Sequence, residues 1–106
     1  MSEFGDMERW RSALRENHDE LAKQLRLGDF NGVLDEMWAK YKLSEHERDR
    51  FYTTNAESEN QKKEKVRGFV KYLREKLSED TLKVFYGALL KFEYTEAAKL
   101  IEQYLS

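Results

Sequence analysis

The last third of the chain carries two helical patterns separated by one short break. Ser78 is a favourable N-cap residue, and the acidic Glu79 and Asp80 behind it suit the positive end of a helix dipole. Apolar side chains then recur every three or four residues, at Leu82, Phe85, Tyr86, Leu89 and Leu90. A second stripe follows Tyr94, with Thr95 as its predicted cap, and comprises Ala98, Leu100, Ile101 and Leu105. Each helix must bury its stripe against another element, so this segment favours a helical bundle.

The rest of the chain agrees with an all-α fold, because it contains no proline, five glycines and no segment that alternates like a strand. The first helix is expected over residues 7–27, with a bend at the polar turn 16–19 and with Gly28 closing it in a left-handed conformation. The second helix begins at its N-cap Asp29. Its wide apolar face comprises Phe30, Val33, Leu34, Met37, Trp38 and Tyr41.

Two further helices complete the prediction of six. Ser44 and Glu47 form a capping box for a short third helix anchored by Phe51 and Tyr52. A polar loop is expected over residues 53–60, followed by a fourth helix over 61–77. The inward face of the fourth helix comprises Val66, Phe69, Val70, Leu73 and Leu77. We expect a compact antiparallel six-helix bundle over residues 6–106. Residues 1–5 resemble a cloning remnant or a disordered end.

Composition limits the classes of function. At 106 residues the chain is one domain, and its 13% aromatic content argues against the disorder that 38% charged residues would otherwise suggest. Nineteen basic and 21 acidic residues nearly balance, which disfavours bulk nucleic-acid binding. No apolar run approaches the length of a membrane span, and the lack of cysteine favours a reducing compartment, hence the cytoplasm.

The sequence offers no catalytic constellation. The only imidazoles, His18 and His46, have no metal-ligand spacing, and there is no cysteine nucleophile or phosphate-binding glycine motif. The adjacent pairs Asp35–Glu36 and Glu79–Asp80 diverge by about 100° on a helix and do not converge on one substrate atom. We therefore expect a protein that is not an enzyme and uses no cofactor or metal.

The segments Phe85-Tyr86-Gly87-Ala88-Leu89-Leu90 and Ala97-Ala98-Lys99-Leu100-Ile101 resemble the closing helices of a caspase-recruitment domain (CARD), a branch of the death-fold superfamily. The bent first helix, the turn at 41–47, the polar loop and the basic fourth helix extend the similarity over residues 7–105. The resemblance implies a Greek-key arrangement of six helices. It also implies homotypic binding to a CARD of a caspase, adaptor or nucleotide-dependent sensor in apoptotic or inflammatory signalling, with oligomers or filaments as products.

In this family a basic surface of one domain meets an acidic surface of another, and the resemblance implies both surfaces here. The basic interaction face would comprise Arg11, Arg15, Lys62, Lys63, Arg67, Lys71 and Arg74. The acidic interaction face would comprise Asp29, Asp35, Glu36, Glu45, Glu47 and Asp49. His18 stands where many members carry an arginine, which weakens that contact, and it is equally a candidate for packing.

The sequence is compatible with three alternatives. Another death-fold branch (death, death-effector or pyrin domain) would share the helix count, and a decoy would use the same surfaces to block signalling. A small helical nucleic-acid-binding module using residues 62–74 is a third reading, although exposed aromatic residues are not interleaved there. Trp10, Trp38 and Tyr86 all fall on apolar stripes, so we expect them in the core and not in an exposed hot spot.

Overall fold

Seven α-helices follow one another in the computed structural model, which describes residues 5–104. They are α1 (Met7–Glu16), α2 (His18–Leu27), α3 (Phe30–Ala39), α4 (Glu45–Phe51), α5 (Glu59–Glu75), α6 (Glu79–Lys91) and α7 (Thr95–Glu102). No strand occurs between residues 5 and 104. The predicted first helix is divided at Asn17 into α1 and α2, which gives seven helices where six were predicted.

Caps account for where several helices begin. Asp29 accepts a hydrogen bond from the Gly32 N–H, and Ser44 with Glu47 forms the predicted capping box of α4. A second capping box, Ser58 with Gln61, starts α5 two residues before its predicted beginning. The cap predicted at Thr95 is wrong: Tyr94 is the N-cap residue of α7 and forms no side-chain cap hydrogen bond.

The core is a single apolar cluster to which all seven helices contribute. Phe69 of α5 lies at its centre, with ring centroids 5.4 Å from Phe30, 5.7 Å from Phe51 and 6.0 Å from Phe85. Those three rings belong to α3, α4 and α6, so one aromatic side chain joins four helices. The predicted inward faces of α3 and α5 are buried here, apart from Trp38 and Tyr41.

Three predicted core residues are exposed instead. Leu90 is 53% exposed because Leu89 already points inward, and neighbouring helical residues diverge by about 100°. Trp38 is 42% exposed and packs under the Arg48 guanidinium, whereas Tyr41 lies beyond the end of α3 and is 94% exposed. Tyr86 is half-buried, and its hydroxyl donates a hydrogen bond to Glu102. Leu105, also predicted to pack, lies outside the described residues.

Gly28 does separate the second predicted helix from the first, but for a different reason from the one expected. Its backbone is extended (φ −123°, ψ −155°), not left-handed. A Cβ atom at this position would lie 2.8 Å from the ring of Tyr94, whose hydroxyl donates a hydrogen bond to the Leu25 carbonyl. Glycine is therefore needed for the close approach of the Tyr94 ring to the end of α2.

Candidate functional site

A basic groove runs between α2 and α5, which pack along each other more extensively than any other pair of helices. The groove consists of two neighbouring depressions. The first is lined by Arg15, His18, Asp19, Arg67, Gly68, Lys71 and Arg74, and the second by Asp19, Ala22, Lys23, Arg26, Lys63 and Arg67. Arg67 and Asp19 line both depressions and form an ion pair across the groove, so this ion pair marks the boundary between them.

Apart from Arg67, the cations of the basic groove differ from most others in the described part of the molecule, because they form no ion pair. Elsewhere, side chains such as Lys65, Lys83 and Lys91 form ion pairs with nearby carboxylates. Within residues 5–104, six groove cations form no ion pair: Arg15, Lys23, Arg26, Lys63, Lys71 and Arg74. The groove thus presents a positive field that the domain itself leaves largely uncompensated.

His18 lies in this groove at the start of α2, beside the cations of α5. Burial and the charges of Arg74 and Arg67 lower the pKa of His18 below its usual value of 6.5, while Asp19 opposes that shift. The Nδ1 atom of His18 and the Nε atom of Arg74 are buried and have no hydrogen-bond partner within the described part of the protein. At neutral pH His18 is therefore an uncharged, half-buried member of the groove.

An acidic depression of about 770 Å³ lies between α3, α4 and the end of α6. Four predicted acidic residues line it, namely Asp29, Asp35, Glu36 and Asp49, together with Trp38, Arg48, Tyr52, Lys91 and Phe92. It shares no residue with the basic groove. The fold therefore presents two separate surfaces of opposite predominant charge.

The carboxylates of the acidic depression are already engaged within the domain. Asp35 accepts a hydrogen bond from the Tyr52 hydroxyl at 3.1 Å and lies 3.6 Å from Arg48, which is also 3.7 Å from Asp49. The Lys91 ammonium donates a hydrogen bond to Glu36 at 2.6 Å and lowers the pKa of that carboxyl. The depression is consequently less negative than its four carboxylates alone would make it.

The structure brings together only part of each predicted face. Arg15, Lys63, Arg67, Lys71 and Arg74 meet in the basic groove, whereas Arg11 pairs with Glu8, and Lys62 lies 3.8 Å from Glu59. Neither Arg11 nor Lys62 lines the groove, and each lies beside an acidic residue of its own helix.

Two of the predicted acidic residues likewise lie outside the acidic depression. Glu45 is exposed at the start of α4. The Glu47 carboxylate caps α4 and accepts a hydrogen bond from the Tyr72 hydroxyl. Burial raises the pKa of Tyr72, and the bond to Glu47 raises it further, which keeps that hydroxyl protonated as a donor. Glu47 therefore has a structural role.

Sequence reasoning missed Lys23 and Arg26, which supply two of the groove's unpaired cations. The sequence does contain a signal for them, since residues 19, 23 and 26 have the spacing of one helix face, and the structure places all three in the groove. It was overlooked because the implied basic face was restricted to the first part of the first predicted helix and to the fourth. Trp38 was missed as a surface residue for a different reason, namely that its position on an apolar stripe indicated the core.

A metal site and a membrane-spanning helix have less support in the described part of the chain. Residues 5–104 contain no cluster of three or more His, Asp or Glu side chains that would hold a metal ion. None of the helices α1–α7 combines the length and the apolar character needed to cross a membrane.

Comparison with known families gives one match that covers most of the chain. The family model described as "Caspase recruitment domain" matches residues 11–104, which include both charged surfaces and nearly all of the helical bundle. No curated protein and no solved structure matches the chain. CARDs are non-catalytic modules that bind other death-fold domains, and the all-helical architecture accords with this family. The chain belongs to the caspase-recruitment domain family of the death-fold superfamily.

Proposed function

We propose that this domain recruits another CARD-containing protein through a head-to-tail contact, in which the basic groove of one domain binds the acidic depression of the next. The partner would be a caspase, an adaptor, a nucleotide-dependent sensor or a second copy, in cytoplasmic apoptotic or inflammatory signalling. The observation that carries this proposal is the presence of six unpaired cations in the basic groove, on a domain that also has a separate acidic depression.

Two different complementary surfaces on one domain favour a particular mode of assembly. A heterologous contact leaves one free surface at each end of a pair, so further copies can add and build an oligomer or filament. The contact would be mainly electrostatic at its rim, and added salt should weaken it because exposed charges are screened within about 10 Å at 0.1 M ionic strength.

The test uses one charge-reversed variant of each surface. Arg15→Glu combined with Lys71→Glu reverses two exposed groove cations that have no ion-pair partner. Asp49→Lys reverses a carboxylate that caps no helix, unlike Asp29. Arg67→Glu is less suitable because it would also break the ion pair with Asp19 that links α2 to α5. Lys99→Glu, an exposed change in α7 that touches neither surface, is the matched control.

We expect each variant to fail to associate with itself in size-exclusion chromatography with light scattering, while Lys99→Glu behaves like the wild type. A mixture of the two variants still contains one intact groove and one intact depression, so it should form a 1:1 complex and stop there. Circular dichroism verifies that the variants remain helical. Binding of wild-type strength by both variants, to this domain and to partner CARDs, would contradict the proposal.

A further inference from the structure

Tyr41 combines two features that its place in the fold does not explain. Its side chain is 94% exposed, the largest exposed fraction among the large hydrophobic residues of the described chain. Its backbone has φ of +63°, in the left-handed region that is unfavourable for a residue with a Cβ atom. The hydroxyl and ring of Tyr41 form no hydrogen bond or ring contact within residues 5–104.

The strain arises from the way α3 ends. The N–H of Lys42 donates a hydrogen bond to the Met37 carbonyl at 2.8 Å, which is the six-to-one bond of a Schellman motif with Tyr41 at its left-handed position. Glycine is the usual residue there. The same motif ends α6, where Glu93 has φ of +59° and the N–H of Tyr94 bonds to the Leu89 carbonyl. Strain of this kind often marks residues retained for function.

Tyr41 lies beside the acidic depression. Its N–H bonds to the carbonyl of Trp38, which lines that depression and is 42% exposed under the Arg48 guanidinium at 4.3 Å. The carboxylates there already form bonds within the domain, so a binding protein would find few unpaired carboxylates for its cations. Exposed tyrosine and tryptophan side chains are the residue types that most often dominate binding energy, and their ring faces attract cations. The Trp38 ring already has the Arg48 guanidinium over it, so Tyr41 is the ring of the two that is open to a partner.

We propose that Tyr41, supported by Trp38, is the anchor by which the acidic depression of one copy binds the basic groove of a second copy. The inference rests on the proposed function and adds which residues provide its binding energy. The unpaired guanidinium and ammonium groups of the groove, such as Arg15 and Lys71, are the matching partners, because a cation over an aromatic face needs no free carboxylate. The carboxylates of the depression then orient the second copy and attract it from a distance.

The test separates the aromatic side chain from the backbone strain. Tyr41→Gly removes the ring and relieves the left-handed strain, so we expect Tm to rise by about 4 °C while self-association weakens at least about tenfold. Tyr41→Phe retains the ring and should associate within about twofold of the wild type, since the ring provides the anchor. Association is measured by sedimentation velocity across protein concentration.

Two controls match the two changes. Glu93→Gly relieves the equivalent strain at the end of α6 and should raise Tm without weakening association. Leu90→Ala removes an exposed apolar side chain outside the acidic depression and should also associate normally. Together they exclude the possibility that Tyr41→Gly acts through stability or through general loss of apolar surface.

Two results would overturn the inference. If Tyr41→Gly associates like the wild type while the Arg15→Glu/Lys71→Glu variant does not, the anchor is wrong and the proposed function stands. If the wild type remains monomeric at every concentration, a second copy is not the occupant. The proposed function itself fails on a separate observation, namely unchanged binding to partner CARDs by the charge-reversed variants of both surfaces.

Discussion

At Gly28 the packing leaves no room for even a methyl group. The Tyr94 ring occupies the space that a Cβ would need, and the Tyr94 hydroxyl is fixed by its 2.7 Å hydrogen bond to the Leu25 carbonyl. Burial raises the pKa of Tyr94, so this hydroxyl remains a donor at any physiological pH. A side chain at residue 28 would therefore displace a buried ring and its hydrogen bond.

We predict that Gly28→Ala lowers the free energy of unfolding by about 1–3 kcal/mol, the usual cost of forcing extra atoms into a packed site. Gly87→Ala is the matched control, because a Cβ there meets nothing within 4 Å and the residue is exposed inside α6. That change should stabilise the domain by roughly 0.5–1 kcal/mol through helix propensity. Urea denaturation of both variants measures the difference, and equal effects of the two substitutions would refute the steric role of Tyr94.

For individual residues, the sequence shows that a position is unusual more readily than it shows the physical reason. Glycine 28 was predicted as a helix end, but the ring that requires it comes from a residue 66 positions later in the chain. Tyr41 and Trp38 were predicted as core residues, since nothing local reveals that α3 ends at Ala39 and that Arg48 covers the Trp38 ring. These differences arise from tertiary contacts, which the periodicity of apolar residues in the sequence does not reveal.

At the scale of helices and loops, Asn31 holds the segment between α4 and α5 in place. Its Nδ2 atom donates a hydrogen bond to the Thr53 carbonyl at 2.8 Å, and its Oδ1 atom accepts bonds from the N–H and hydroxyl of Thr53. Lys65 of α5 adds a bond to the Tyr52 carbonyl and an ion pair with Glu57. The segment is therefore fastened to α3 on one side and to α5 on the other.

We predict that Asn31→Ala costs about 1–3 kcal/mol, because it leaves the half-buried polar groups of Thr53 without their partner. Amide hydrogen exchange should also quicken over residues 52–58, since that segment loses its attachment to α3. Asn60→Ala is the control at an exposed position in the first turn of α5, with an expected change within about 0.5 kcal/mol. An unchanged exchange rate over residues 52–58 would rule out this role for Asn31.

Helix boundaries were largely predictable because caps are local signals. Asp29, Ser44 and Ser78 were each identified from sequence as N-caps, and each accepts the expected backbone hydrogen bond. The box formed by Ser58 and Gln61 uses the same signal but was overlooked inside a segment predicted as loop. The attachment by Asn31 could not be predicted, because it pairs residues 22 positions apart without a repeating pattern.

Across the whole molecule, stability should decline in mildly acidic solution because of one group. The lowered pKa of His18 means that the folded domain keeps this imidazole neutral, whereas the unfolded chain binds a proton once the pH falls below about 6.5. Stability is thus fully present above 6.5 and is lost as the pH falls from there towards the lower folded value. Arg15 of α1 and Lys71 of α5 line the same depression with Arg74 and Arg67, and only Asp19 opposes them there.

We predict that the wild type loses stability between pH 7.5 and 5.5 and that His18→Gln reduces this loss. Carboxyls with lowered folded pKa values, such as Glu36 and Glu57, lose their contributions at lower pH, below this window. Urea denaturation at several pH values gives the measurement. Parallel pH dependences of the wild type and His18→Gln would show that another group is responsible.

The sequence was sufficient to predict an all-helical domain and its family resemblance, which the match to the CARD family over residues 11–104 confirms. It was also sufficient to propose two oppositely charged faces. Which charges remain available could not be predicted, because ion pairs such as Lys91 with Glu36 join residues 55 positions apart. The choice between Arg15 and Arg11, or Asp49 and Glu47, as interaction residues follows only from those contacts.

The cluster of rings around Phe69 has a consequence for the geometry of any head-to-tail assembly of this domain. Repeating one contact rotates and translates each copy by the same amount, and that rotation decides whether the copies close into a ring or continue as a helix. In each contact, one copy would use the basic groove on α2 and α5, and the next copy would use the acidic depression on α3 and α4. Phe69 of α5 contacts rings of both α3 and α4, and so connects the two surfaces through the core. If the proposed filament forms, its helical pitch depends on how these rings hold the helices together, so a substitution of Phe69 would change the pitch without changing a surface residue.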